Sequence, residues 1–193
     1  MPGSPAVFLD RDGVLVEDVC FLTRAEDFRI LPGVPAALTR LHAAGFQLIM
    51  ISNQSVVARG MISEGQLEEI HAVLQNLFVA AGAPPLDAIY CCPHHPEATL
   101  PQYRMACECR KPRPGAILHA AGDRGLDLAA SYLVGDRITD VVAGVRAGCR
   151  TVLVRSPATA DPPIVTVEPL DESLRPDYVC ADLGAAADWI LRK

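Results

Sequence analysis

The sequence has no excess of basic residues. Seventeen Lys and Arg stand against 23 Asp and Glu, a net charge of −6, so nucleic acid is not expected as a partner. An acidic chain can still bind an anionic small molecule where a few cations converge. There is no long apolar run either: FQLIMIS (46–52) is too short to span a bilayer and is interrupted by Gln47. At MPGSPAVFLD no basic segment precedes an apolar stretch, so neither export nor a membrane is expected, and the cytoplasm is the expected location. Internal repeats and low-complexity tracts are missing. The cysteine count is odd, seven, with four of them between 91 and 109. Without an export signal, that pattern argues for a metal site in a reducing compartment and against a disulfide framework.

What is present suits one domain over 1–193. Half of the residues are hydrophobic and 21% are charged, enough to bury a real core. Unalternated apolar runs at AVFLD (6–10), 46–52, 86–92, 131–136 and 150–154 read as buried strands. Helical patterns lie between them at 34–44, 63–82, 113–125 and 138–148. The second of these opens with Ser63 and Gln66 in capping-box spacing. A proline-rich stretch, 155–176, reads as a long loop, followed by a short strand and a closing helix. Alternating strands and helices predict an α/β fold with a mainly parallel sheet, whose ligands bind beyond the carboxyl ends of the strands. Asp10, Ser52 and Asp136 end three of the apolar runs and would meet in one crevice.

The chemistry follows from those ends. DRDG places Asp10 and Asp12 two residues apart before a glycine. Such carboxylates repel unless a cation or a proton offsets them. Mg2+ takes oxygen ligands, and Asp10 with Asp136 would supply two. An aspartate can also be a nucleophile, with a neighbouring acid as general acid and base. GDRITD (135–140) puts Asp140 one helical turn after Asp136, a spacing that suits a shared site or a helix cap equally. SNQSVVARG (52–60) offers Ser52 and Asn53 and then Arg59 to phosphate oxygens. CRKPRPG places Arg110, Lys111 and Arg113 just before a helix N-terminus, which favours anions. Between 91 and 110, Cys92-x-His94 and Cys107-x-Cys109 make a complete tetrahedral set without a vacancy, which points to a structural Zn2+ in a loop insert. Cys91 and His95 are the alternatives if the register is off by one. Cys20, Cys149, Cys180, His42, His71 and His119 read as packing or solvent-facing residues.

Taken together, Asp10-Arg11-Asp12-Gly13, Ser52, Lys111 and Gly135-Asp136 with Asp140 occur in the order of the haloacid dehalogenase (HAD) phosphatases. Across nearly the whole chain, SNQS-VVARG, CPHHP, C-E-CRKPRPG and SYLVGDRITD resemble the D-glycero-D-manno-heptose 1,7-bisphosphate 7-phosphatase family. The resemblance implies a Rossmann-like three-layer sandwich, the HAD fold, with a minimal cap. It implies that Asp10 attacks the phosphoryl group and that Asp12 serves as general acid and base. Mg2+ would be held by Asp10, the Asp12 main-chain carbonyl and Asp136, and Zn2+ by Cys92, His94, Cys107 and Cys109. Ser52 and Lys111 would bind the transferring phosphoryl group, Asp140 would support Lys111 or the metal, and Asn53, Arg59 and Arg110 would contact the rest of a sugar phosphate, in a monomer. The sequence departs from the family at Val14, Val16, Cys20-Phe21 and Val56, all in loops that would face the leaving group. Histidinol-phosphate phosphatases share the cysteine insert. NQSVVARG resembles the heptose enzymes more closely, and Arg59 suits a second phosphate.

Overall fold

A strand buried on both faces needs no polar alternation. Residues 6–9 meet that condition. In the computed structural model, which describes residues 3–155 and 174–192, they form β1 (Ala6–Leu9), buried throughout. It lies inside a six-stranded sheet with β2 (Gln47–Asn53), β3 (Ala88–Cys92), β4 (Tyr132–Gly135), β5 (Arg150–Val154) and β6 (Tyr178–Cys180), in the order β3-β2-β1-β4-β5-β6. Every pairing is parallel. The order reverses beside β1, so the switch-point crevice opens at the carboxyl ends of β1 and β4.

The helices are α1 (Val34–Ala43), α2 (Ser55–Ala58, one turn), α3 (Glu64–Ala80), α4 (Gly115–Arg124), α5 (Ile138–Ala147) and α6 (Leu183–Ile190). Alternate residues of β1 serve opposite layers. Ala6 and Phe8 pack with Ile117 and Ala120 of α4 and Ala143 of α5. Val7 and Leu9 pack with Leu38 of α1, Leu74 of α3 and Ala186 of α6. The result is the three-layer sandwich expected. Leu74 and Phe78 are wholly buried and each contributes about 1.5–3 kcal/mol, which fixes α3 against the sheet. Its start is the expected capping box: Ser63 Oγ accepts from Gln66 N at 3.1 Å and Gln66 Oε1 accepts from Ser63 N at 2.9 Å.

Element ends moved slightly. The strand expected to include Asp136 stops at Gly135, and the helix expected from 113 begins at Gly115 behind Pro114. Gly115 N donates to the Glu108 carbonyl at 2.9 Å, and a Cβ at Gly115 would collide with that carbonyl. The helix is therefore sewn directly onto the cysteine loop. Between β1 and α1 the chain makes a tight flap with one short turn, Ala25–Asp27, and bridges of Val16 to Asp12 and Ile30, so the cap there is minimal. Of the loop expected at 155–176, residues 156–173 lie outside those described. No helix among the described residues is long and apolar enough to cross a membrane.

Candidate active site

Parallel strands deliver the expected acids to one place. Asp10 follows β1 and Asp136 follows β4, while Asp140 lies in the first turn of α5; ligand oxygens of all three lie within 4.8 Å of one another. Lys111 enters this acid cluster from the cysteine loop. Its Nζ is 2.9 Å from Asp10 Oδ1 and 2.6 Å from Asp140 Oδ1, and donates to the Ile51 carbonyl at 2.9 Å. Burial opposes its charge, but the two carboxylates outweigh that and hold its pKa above the usual lysine range. Asp140 Oδ2 also accepts from Arg137 N at 3.0 Å. Two glycines make room for this density: a Cβ at Gly13 would strike the Asp136 carboxylate, and one at Gly135 would strike Asp140. Gly13 also has φ +77°, where a side chain is strained.

One buried lysine, with Arg137 Nε half-exposed at 4.0 Å from Asp136 Oδ1, does not balance three buried acids. Both oxygens of Asp136 are buried without a hydrogen-bond partner. Burial, then Asp10 and Asp140, pushes Asp136 up to about 8, and burial pushes Asp140 up to about 6 despite Lys111. An orphaned, buried carboxylate beside two others is what an oxygen-seeking divalent cation would satisfy. These residues fit Mg2+.

Asp12 points elsewhere. Its carboxylate is gripped by Arg11, Nε to Oδ1 at 3.0 Å and Nη2 to Oδ2 at 2.9 Å, and Gln54 Nε2 donates to Oδ2 at 3.2 Å. Gln54 Nε2 also donates to Ser52 Oγ at 2.8 Å, which ties the acid to the hydroxyl at the end of β2. Burial raises the Asp12 pKa, with Arg11 pulling it back.

The cysteine loop forms a second cluster. Cys92, His94, Cys107 and Cys109 meet, with sulfur–sulfur distances of 3.1–3.4 Å and His94 Nδ1 at 3.5 and 3.7 Å from Cys109 and Cys92. Four ligands on one zinc lie about 3.5–3.8 Å apart for Zn–S near 2.3 Å, so the set fits with a slight expansion. The shifted alternatives do not join it: Cys91 Sγ faces His71, and His95 Nδ1 accepts from Glu97 N at 3.1 Å. All seven cysteines are free.

The remaining expected contacts divide. Arg110 Nη1 donates to the His94 carbonyl at 3.0 Å, and Arg59 stacks its guanidinium 4.7 Å from the exposed Phe21 ring. Arg59 and Arg110 lie close enough to repel, and both depress the His95 pKa after burial has done so. Asn53 has a partner within the protein. Its amide donates to the Lys111 carbonyl and accepts from Lys111 N, both at 3.1 Å; it braces the lysine, and one amide N–H remains. His71 has one too. It is buried against Arg11, Nε2 to Nη1 3.2 Å, and burial followed by the Arg11 charge holds it down to about 4. A histidine within the α3 stripe Leu67, Ile70, Leu74 and Phe78 was the available signal.

Residues 108–186 match the HAD-hydrolase-like family model. Over 188 residues the chain is 39% identical to the D-glycero-beta-D-manno-heptose-1,7-bisphosphate 7-phosphatase of Yersinia pestis, covering 97% of this chain and 89% of that one. The chain belongs to the D-glycero-D-manno-heptose-1,7-bisphosphate 7-phosphatase family. A second member of this bisphosphate phosphatase family, from Thermosynechococcus vestitus, is 40% identical over 96% of this chain and 95% of its own. Among solved structures, D,D-heptose 1,7-bisphosphate phosphatase from B. bronchiseptica, complexed with magnesium and phosphate, superposes with a TM-score of 0.77. That structure is 32% identical and covers 97% of this chain and 98% of its own. The heptose bisphosphate phosphatase family is thus matched over the flap, acid cluster and cysteine loop together.

Proposed function

We propose that the protein removes the 7-phosphate of D-glycero-D-manno-heptose 1,7-bisphosphate, acting as a monomer in the cytoplasm with 1–193 as one catalytic domain. The observation that carries the reaction class is the Asp136 carboxylate, buried beside Asp10 and Lys111 with no hydrogen-bond donor. Asp10 attacks phosphorus; an Asp10 oxygen–phosphorus bond forms as the ester bond breaks. Asp12 gives its proton to the departing alkoxide, then takes one from the water that releases phosphate from Asp10. Ser52 and Lys111 hold the phosphoryl oxygens, Asn53 braces Lys111, and Asp140 keeps its ammonium charged and aimed. Asp10, the Asp12 carbonyl and Asp136 would hold Mg2+, which when bound offsets the charge of the phosphoryl oxygens and the carboxylates. Cys92, His94, Cys107 and Cys109 would hold a structural Zn2+. Arg59 and Arg110, two cations crowded at the loop edge, suit the 1-phosphate that stays on the sugar. Free cysteines and the acidic balance support the cytoplasmic assignment and argue against nucleic acid or membrane partners.

The test is phosphate release with Mg2+ from both anomers of the heptose bisphosphate, fructose 1,6-bisphosphate and histidinol phosphate. A heptose bisphosphate anomer should give the highest kcat/KM, and D12N should lose turnover. A higher value with histidinol phosphate overturns the substrate assignment, and no release from any ester overturns the reaction class.

A further inference from the structure

Among the described residues Arg11 is the largest wholly buried side chain, 1% exposed. Nothing in the phosphoryl-transfer scheme uses it directly. Two of its nitrogens grip Asp12, and the Phe28 ring lies 5.8 Å from its Cζ. Its third nitrogen, Nη1, meets Nε2 of His71 at 3.2 Å. A guanidinium has only donors. His71 Nε2 must therefore accept, which leaves the ring neutral with its proton on Nδ1, and Nδ1 faces Cys91 Sγ at 3.9 Å. The ring cannot drift, since Leu67, Ile70, Leu74 and Phe78 seat α3 in the core. One unbroken chain of contacts, from Cys91 through His71 and Arg11 to Asp12 and on through Gln54 to Ser52, fixes both oxygens of the acid from behind.

We propose that His71 is a positioning residue: by accepting the outer N–H of Arg11 it fixes the guanidinium plane, and so aims the Asp12 carboxylate at the leaving-group oxygen. The proposal rests on the acid/base role read for Asp12. Without an acceptor at 71, Arg11 keeps its charge and its burial but loses one of its three anchors. Its fork can then rotate about the remaining stem, carrying Asp12 with it. A merely packed histidine would affect folding and leave turnover alone.

The experiment compares wild type with H71L, H71N and H71Q, using whichever sugar phosphate wild type hydrolyses best, alongside 4-nitrophenyl phosphate and thermal melts. Leucine fills the space without an acceptor, asparagine is too short to reach Arg11, and glutamine restores an acceptor oxygen near Nε2. H71L and H71N should lower kcat for the sugar phosphate about tenfold to hundredfold with KM within about twofold, and H71Q should recover most of it. Nitrophenolate departs without protonation, so its first-turnover burst should survive in H71L. Wild-type kcat in folded H71L or H71N, or a loss that H71Q does not recover, overturns the proposal. If H71L fails to fold, H71N decides; if both fail, His71 has a structural role alone. A wild type that hydrolyses no ester removes the phosphatase reading itself, whereas an active wild type with unchanged variants removes only the role of His71.

Discussion

Two polar clusters sit along the carboxyl edge of the same sheet, built by opposite means. The acid cluster is held by the scaffold: β1, β4 and α5 force Asp10, Asp136 and Asp140 together, with buried apolar residues behind each. Its carboxylates repel, so the fold bears a cost that a cation would remove. The thiol cluster has little scaffold. Between 93 and 110, Ala98 is the only buried residue, and the loop is tied down by scattered bonds such as Tyr103 OH to Glu64 at 2.6 Å and Leu100 N to the Ala58 carbonyl. There a bound metal would stand in for a core, and its binding would couple to local folding. The first cluster should outlast its metal; the second should not. Lys111 joins the two, because the loop that carries the thiols also delivers the ammonium.

The sharpest way to break this contrast is C109S. Removing one thiol should empty the zinc site, and the loop end bearing Arg110 and Lys111 should loosen. Activity should then fall about tenfold to hundredfold although no reacting group has changed, since misplacement by about 1 Å is worth that much. Elemental analysis should read about one zinc per chain in wild type and none in the variant. Full activity in zinc-free C109S would uncouple the clusters.

The acid cluster should respond through pH. Asp136 is raised in the folded state to about 8, against about 4 when unfolded. The folded protein thus binds the extra proton, and the stability this contributes is fully present below pH of about 4 and is lost as pH rises through about 8. Asp140 acts in the same direction over a shorter span, to about 6. Metal-free protein should therefore lose on the order of a few kcal/mol between those limits. Added Mg2+ should restore most at the alkaline end. D136N should flatten the profile, raise the melting temperature at pH 8 without metal, and lose the response to Mg2+. A profile unchanged by D136N would show that the charge strain lies elsewhere.

These two clusters were legible in the sequence to different depths. Asp10, Ser52 and Asp136 stand at the ends of apolar runs too uniform to be anything but strands covered on both faces, so their convergence followed from strand order. The thiol ligands were legible from spacing alone, and geometry then separated Cys92 and His94 from Cys91 and His95. Arg11 was not legible. Sequence shows a charge, and its burial depends on Phe28, His71 and Asp12 arriving together from three segments. For the same reason the bonds of Asn53 to Lys111 and of His71 to Arg11 were not legible: a polar side chain's partner is a tertiary fact. Helix and strand ends shifted by one or two residues because caps such as Pro114 belong to both neighbours.

The smallest predicted effect lies in the flap, away from both clusters. Cys20 and Phe21 are the non-glycine residues with positive φ among those described, 44° and 62°. That backbone costs an L-residue about 1–2 kcal/mol. At Cys20 the cost is partly offset, since its N–H donates to Asp18 Oδ1 at 3.2 Å. Phe21 has a use for the geometry, because the turn lays its ring under Arg59. Cys20 is exposed, and no contact to either cluster runs through its thiol. C20G should relieve the strain, keep the Asp18 turn, and raise the melting temperature by about 2–4 °C for a gain near 1 kcal/mol. It should leave zinc content and the pH profile of stability unchanged. A lower melting temperature would mean that the greater freedom of glycine in the unfolded chain outweighs the strain, and that the flap is held by its Asx turn and the Phe21 stack alone.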